Sequence, residues 1–187
     1  MIEKEEQEKF MNEAIKEAKK ALKIGEVPVG AVIVKDGKII ARAYNKKETK
    51  KDSTKHAEII AINKASKKLG AWRLNDCDMY VTLEPCAMCA GAIIQARIKN
   101  VYYGAKDEKN GACESILNLF ENYKFNYHVN VQSGICETEC SQILKNFFKE
   151  LRKHTEKCRS GHNGTVSKTD CEWKLARGFE SHFLRQT

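Results

Sequence analysis

With 187 residues, 42% of them hydrophobic, the chain is long enough for one domain with a real core and not for several. No apolar run reaches bilayer length, and the start MIEKEEQEKF carries neither a basic segment followed by an apolar stretch nor a cleavage site; the expectation is a cytoplasmic protein, not a membrane or secreted one. The net charge of +8 favours an anionic partner, and the eight cysteines, scattered through a chain that can fold without crosslinks, read as reduced thiols and not as a disulfide framework.

From Glu3 to Lys23 the residues Phe10, Ala14, Ile15, Ala18, Ala21 and Leu22 recur at three- and four-residue intervals, which predicts an amphipathic helix stopped near Gly25. Val29 to Val34 and Ile39 to Tyr44 flank Asp36-Gly37 and predict a hairpin. Lys46 to Lys55 reads as a polar loop, followed by a helix that Ser53 or Thr54 caps and that ends at Gly70, with Trp72 packed at the corner. Met79 to Leu83 is an apolar strand that runs into Pro85 and a second helix. Val101 to Tyr103 follows as a strand and Asp107 to Glu114 as a loop. Ser115 is predicted to cap a short helix through Phe120, Val129 to Gln132 to form a last strand, and Glu137 to Lys153 a terminal helix burying Ile143, Leu144, Leu151 and one of Phe147 and Phe148.

Residues 1–155 are thus expected to form the domain, and 156–187, with few aliphatics and many turn formers, a disordered or loosely attached tail. Cys158, His162 and Cys171 in that tail fit no standard zinc spacing. Arg177 to Gln186 can be back-translated to contain TTCGAATCC followed by CTCCGCCA, which resembles the closing arm and end of a tRNA gene; one expectation is therefore that the tail arose by reading past a former stop codon.

The chemistry concentrates in two short stretches. Cys86 and Cys89, three apart at a helix start, point the same way, and the unpaired amides of that start favour thiolates. His56 and Glu58 open the helix before. One imidazole and two thiolates suit zinc and leave a fourth tetrahedral position for water, the mark of a catalytic site. Two thiolates also neutralise the ion, so its water needs a nearby carboxylate to take the proton, a task for Glu58. H-x-E with P-C-x-x-C is the signature of zinc-dependent nucleobase deaminases, and His56, Glu58, Pro85, Cys86 and Cys89 match it throughout. The lysines of 46–55, 64–73 and 145–157 either solvate the surface or, in the first and third runs, flank an anionic substrate.

From Glu3 to about Lys153 the chain resembles the bacterial tRNA-specific adenosine deaminases of the cytidine-deaminase-like superfamily. The resemblance rests on EVPVGAVIV, Asn45, HAE, TLEPCAMCAGA, Arg97-Ile98, YGAKDEKNGA and NFFKELR. It implies a three-layer α/β/α fold with a mixed sheet of about five strands, a homodimer with one zinc per subunit, and a tRNA anticodon arm as partner, its wobble adenosine converted to inosine. Carried over, His56, Cys86 and Cys89 hold zinc and Glu58 shuttles the proton. Asn45 contacts the purine, Asp107 a ribose hydroxyl, and Val27, Ala57 and Phe148 complete the substrate contacts, with Lys106 and Lys109 on phosphates. Asn126-Tyr127-His128 departs from the family pattern, which leaves RNA contacts from that loop open.

Overall fold

The computed structural model describes residues 4–121 and 124–159, with side chains as far as Lys153. Two compact units divide the chain, residues 1–143 and residues 144–187, so the division falls inside the last helix. In the first unit, helix α1 (Lys4–Lys23) leads to a hairpin of β1 (Gly30–Lys35) and β2 (Lys38–Tyr44), then to α2 (Lys47–Lys50) and α3 (Ala57–Leu69). The order continues with β3 (Cys77–Leu83), α4 (Ala87–Gln95), β4 (Asn100–Ala105), β5 (Asn130–Gln132) and α5 (Glu137–Arg159), which crosses into the second unit. The five strands form one sheet in the order β2-β1-β3-β4-β5. β1 pairs antiparallel with β2 and β3, whereas β3, β4 and β5 run parallel.

The hairpin forms because Asp36 and Gly37 both take positive φ, 49° and 68°, the conformation that matches a two-residue turn to the twist of its strands. Strand alternation then sorts the side chains. Ala31 and Ile33 of β1 sit opposite Val81 and Met79 of β3, and all four join the core shared with Ala57, Ala61 and Ala65 of α3 and with Ala90, Ile93 and Ile94 of α4. Val32 pairs with Tyr80 on the other face, where Phe10 of α1 lies 5.3 Å from the Tyr80 ring, itself stacked on Tyr102 at 4.7 Å. With helices on both faces, β1 and β3 are buried almost throughout, which is why they read as continuous apolar runs.

Four expectations fail, each because a partner elsewhere in the chain claims the groups involved. Ser53 and Thr54 do not cap α3: Thr54 turns its amide and hydroxyl to Asp52, and the first α3 amide, that of Ala57, donates to Asn45 Oδ1 at 2.8 Å. The 46–55 loop holds the short helix α2, because the buried Glu26 carboxylate accepts the Glu48 and Thr49 amides. Ser115 caps no helix: residues 112–121 hold no helix, only turns and irregular chain, and its amide and hydroxyl both go to Glu84. Trp72 is 56% exposed and covered by a guanidinium, Arg73 at 4.2 Å from its ring, in place of the core. The last helix also runs six residues beyond Lys153, to Arg159, and the expected tail lies otherwise outside the described residues. Within that helix Leu144 is buried, while Ile143, Phe147, Phe148 and Leu151 are half-buried.

Candidate active site

β3 and α4 meet at a sharp turn, Glu84-Pro85-Cys86. The Glu84 amide still pairs with the Ala105 carbonyl at 2.8 Å, so β3 and β4 stay joined to the last residue before the turn. Pro85 has no amide to satisfy, and Cys86 takes extended backbone angles as the residue flanking α4, its carbonyl accepting the Ala90 amide. Cys89 then lies in the first turn. His56 holds the same flanking position before α3, so both helices aim their starts at one place.

The donor atoms meet there. His56 Nδ1 is 3.8 Å from Cys86 Sγ and 3.6 Å from Cys89 Sγ, and all three lie within 4.8 Å of one another. Tetrahedral zinc at its usual bond lengths separates such donors by roughly 3.5–3.8 Å. The spacing therefore fits a single ion, and among the described residues no fourth histidine, cysteine or carboxylate joins the group. The Cys86 thiol is drawn down to about 4, first by the hydrogen bond from Cys89 and then by His56, against burial. Cys89 is pushed up by the Cys86 sulfur and by burial. One thiolate thus forms unaided beside a His56 whose own affinity for protons Cys86 raises, and a cation is what would let both sulfurs ionise.

Glu58 sits one residue into α3 and is 4% exposed, and its Oε2 has no hydrogen-bond partner. Burial lifts its carboxyl above the usual range, and the nearby His56 opposes that. A buried acceptor without a donor is expensive. Here it lies two residues from one of three groups that could hold a metal ion.

The remaining expected contacts differ in their own surroundings. Asn45 has its oxygen engaged by Ala57, leaving the amide nitrogen as the group to offer a base. Ala57 is fully buried behind it, and Val27 is half-buried against the core. Asp107 is the second residue after β4, where its carboxylate accepts the amides of Lys109 and Asn110 at 3.1 Å each. Lys106 pairs with Glu114 at 3.3 Å, and Glu114 also accepts the Tyr103 hydroxyl. Lys109 is exposed. Phe148 lies in the second unit, in edge contact with Phe147 at 5.2 Å.

Two buried acids that gather backbone amides escaped the sequence reading. Glu26 is 1% exposed and accepts the Thr49 amide at 2.6 Å and the Glu48 amide at 3.2 Å. Glu84 is 2% exposed and accepts the amides of Asp107, Cys113, Glu114 and Ser115 and the Ser115 hydroxyl. Burial works to raise the Glu84 carboxyl, but the Ser115 hydroxyl and the amides outweigh it and hold it below the usual carboxylate range. Both lie in apolar stretches, EVPVG and TLEPC, and an acid set in such a stretch is rarely buried without dedicated donors. That was the available signal.

Residues 5–152 match the MafB19-like deaminase family. A tRNA-specific adenosine deaminase of Bacillus subtilis (strain 168) is 51% identical over 152 residues, 81% of this chain and 94% of that protein. A solved structure from studies of A-to-I editing by tRNA:A34 deaminases at the wobble position of transfer RNA superposes with a TM-score of 0.71 at 48% identity, covering 73% of this chain and 99% of that one. The guanine deaminase of Bacillus subtilis superposes with a TM-score of 0.51 at 39% identity, over 64% and 86% of the two chains.

Proposed function

The chain belongs to the MafB19-like deaminase family, and from that premise we propose that it hydrolyses the wobble adenosine of a tRNA anticodon loop to inosine, as a zinc-dependent tRNA adenosine deaminase. One observation carries the catalytic reading: a buried Glu58 oxygen without a hydrogen-bond partner, two residues from His56 in a set of three donors spaced for a single metal ion. Identity of 51% along nearly the whole of a tRNA-specific adenosine deaminase supports the choice of substrate.

His56, Cys86 and Cys89 would hold zinc, one per subunit. Bound there, zinc supplies the Lewis acidity that brings a water within reach of deprotonation near neutral pH. Glu58 accepts that proton at its carboxylate and delivers it to N1 of the adenine as the water oxygen bonds to C6; it then carries the remaining O–H proton to N6, so that the C6–N6 bond breaks, ammonia leaves and the oxygen stays on C6 as a carbonyl. Its raised affinity for protons, a consequence of burial, suits a group that must hold one between two transfers. Asn45, its oxygen fixed by the Ala57 amide, donates its side-chain N–H to a purine acceptor. Asp107 accepts a ribose hydroxyl, which favours RNA over DNA. Val27 and Ala57 line the base, Phe148 stacks on a neighbouring nucleotide, and Lys106 and Lys109 meet phosphates.

The domain extends over residues 1–155, the tail over 156–187, and the working species is a cytoplasmic homodimer whose partner helps line the groove. The outward side of α4 suits a second copy: Met88 is 38% exposed, and a methyl added to Gly91 would meet nothing within contact. No helix among the described residues is long and apolar enough to cross a membrane.

The test is incubation of zinc-loaded protein with an anticodon stem-loop bearing wobble adenosine, beside free guanine and a cytosine nucleotide, and with total bacterial tRNA followed by inosine mapping. Inosine at the wobble position is expected. Turnover of guanine with none of the RNA would move the assignment to the guanine deaminases, which are also among the structural neighbours.

A further inference from the structure

We propose that Glu84 is a positioning residue for this deamination: its carboxylate folds the 107–115 loop around the start of α4 and thereby sets where Asp107 stands. The proposal rests on the adenosine deaminase reading above. Glu84 itself faces no solvent and touches no reacting group; it acts through the loop.

The geometry is that of a backbone nest closed on one charge. Oε2 accepts the Asp107 amide at 3.0 Å and the Ser115 hydroxyl, while Oε1 accepts the amides of Cys113, Glu114 and Ser115 at 3.0, 2.9 and 3.0 Å. The first residue of the loop and its last three are thus gathered by a single side chain. Between them Gly111 passes so close that any side-chain carbon there would collide with the Glu84 carboxyl. Gly111 also bridges to Cys86, and the Ala112 amide donates to the Pro85 carbonyl at 2.9 Å. Residues 84–86 therefore supply both a metal ligand and the frame on which the substrate loop is wound. Only a carboxylate can do this, because every neighbour is a donor and an ionised acid has about four lone-pair positions to offer them. A glutamine would turn an N–H₂ group against amides that also donate.

The experiment uses the full-length zinc-loaded protein and the wobble-adenosine stem-loop, with E84Q and S115A as variants. E84Q is expected to raise KM about tenfold while kcat stays within about threefold, since the loop that holds the substrate shifts and the metal ligands do not. Zinc content should stay at the parental level, and the amides of 107 and 113–115 should exchange hydrogen faster while those of β1 and β2 keep their rates. S115A, which removes one donor of five, should move KM and exchange in the same direction by a smaller factor. An E84Q protein with parental KM and loop exchange but lower kcat and zinc content would overturn the proposal, making Glu84 a support of α4 alone. If E84Q does not fold, S115A decides by the same split, and unchanged KM with unchanged exchange is the overturning result. If the parent itself does not act on the RNA, the functional reading has failed, and the exchange data still decide whether Glu84 holds the loop.

Discussion

The starts of α3 and α4 each carry a buried glutamate close in sequence to the His56, Cys86 and Cys89 group that could hold a metal ion, and the two are treated in opposite ways. Glu58 has an oxygen without a partner and a carboxyl that burial raises. Glu84 has five donors on two oxygens and a carboxyl held low despite burial. Equal burial therefore says nothing about role, whereas hydrogen-bond saturation does. A saturated acid keeps its charge and fixes its surroundings, and an unsatisfied one is ready to exchange a proton.

The largest test of that contrast is E58Q. If Glu58 carries the proton as proposed, the variant should lower kcat by about 10²–10⁴-fold, the range for positioned general acid–base groups, with zinc still bound at one per subunit. Turnover by mass spectrometry and metal content by atomic absorption read the two separately. A variant that loses its metal together with its activity would place Glu58 in a structural site instead. E84Q, by contrast, should change KM and spare kcat.

The same substitution should alter stability with pH in metal-stripped protein. Burial raises the Glu58 carboxyl in the folded state above its unfolded value, so between the two the folded chain keeps a proton that the unfolded chain has released. The wild type then loses stability as pH rises through that window, and E58Q does not. Denaturant unfolding of both proteins should give curves that separate with pH, the variant becoming the more stable. Parallel curves would mean that Glu58 is better solvated than its burial implies.

Much of this was legible beforehand where a residue's neighbours in sequence are also its neighbours in space. The Asp36-Gly37 turn, the α1 stripe and the two cysteines three apart needed only local periodicity and φ preference. His56 joins those cysteines from thirty positions away, and it was found because thiolate and imidazole share one chemistry and a known signature links them. The failures had distant causes. Ser115 looked like a cap because nothing local revealed that Glu84, thirty-one residues earlier, would claim its amide and hydroxyl. Trp72 looked like core because indoles usually are, and its guanidinium cover comes partly from Arg97, on the far side of α4. Asn45 was assigned to the base, but its oxygen also completes the α3 start in place of Ser53 or Thr54.

The smallest effect is expected at Glu26, which does for the 46–49 segment what Glu84 does for the 107–115 loop, with two amides in place of four amides and a hydroxyl. The bonds to Glu48 and Thr49 are charge-assisted, and glutamine keeps an oxygen to accept one of them. E26Q should therefore cost about 1–2 kcal/mol in denaturant unfolding. That segment carries lysines and no expected contact to the base, and the Asn45 amide donates to Val29 independently of it. Hence kcat/KM on the stem-loop should fall by less than about threefold. If E26Q weakens substrate use as much as E84Q, then the number of amides a buried acid gathers does not set its influence on the site. The lysine loop before His56 would in that case be as much a part of the RNA groove as the loop that carries Asp107.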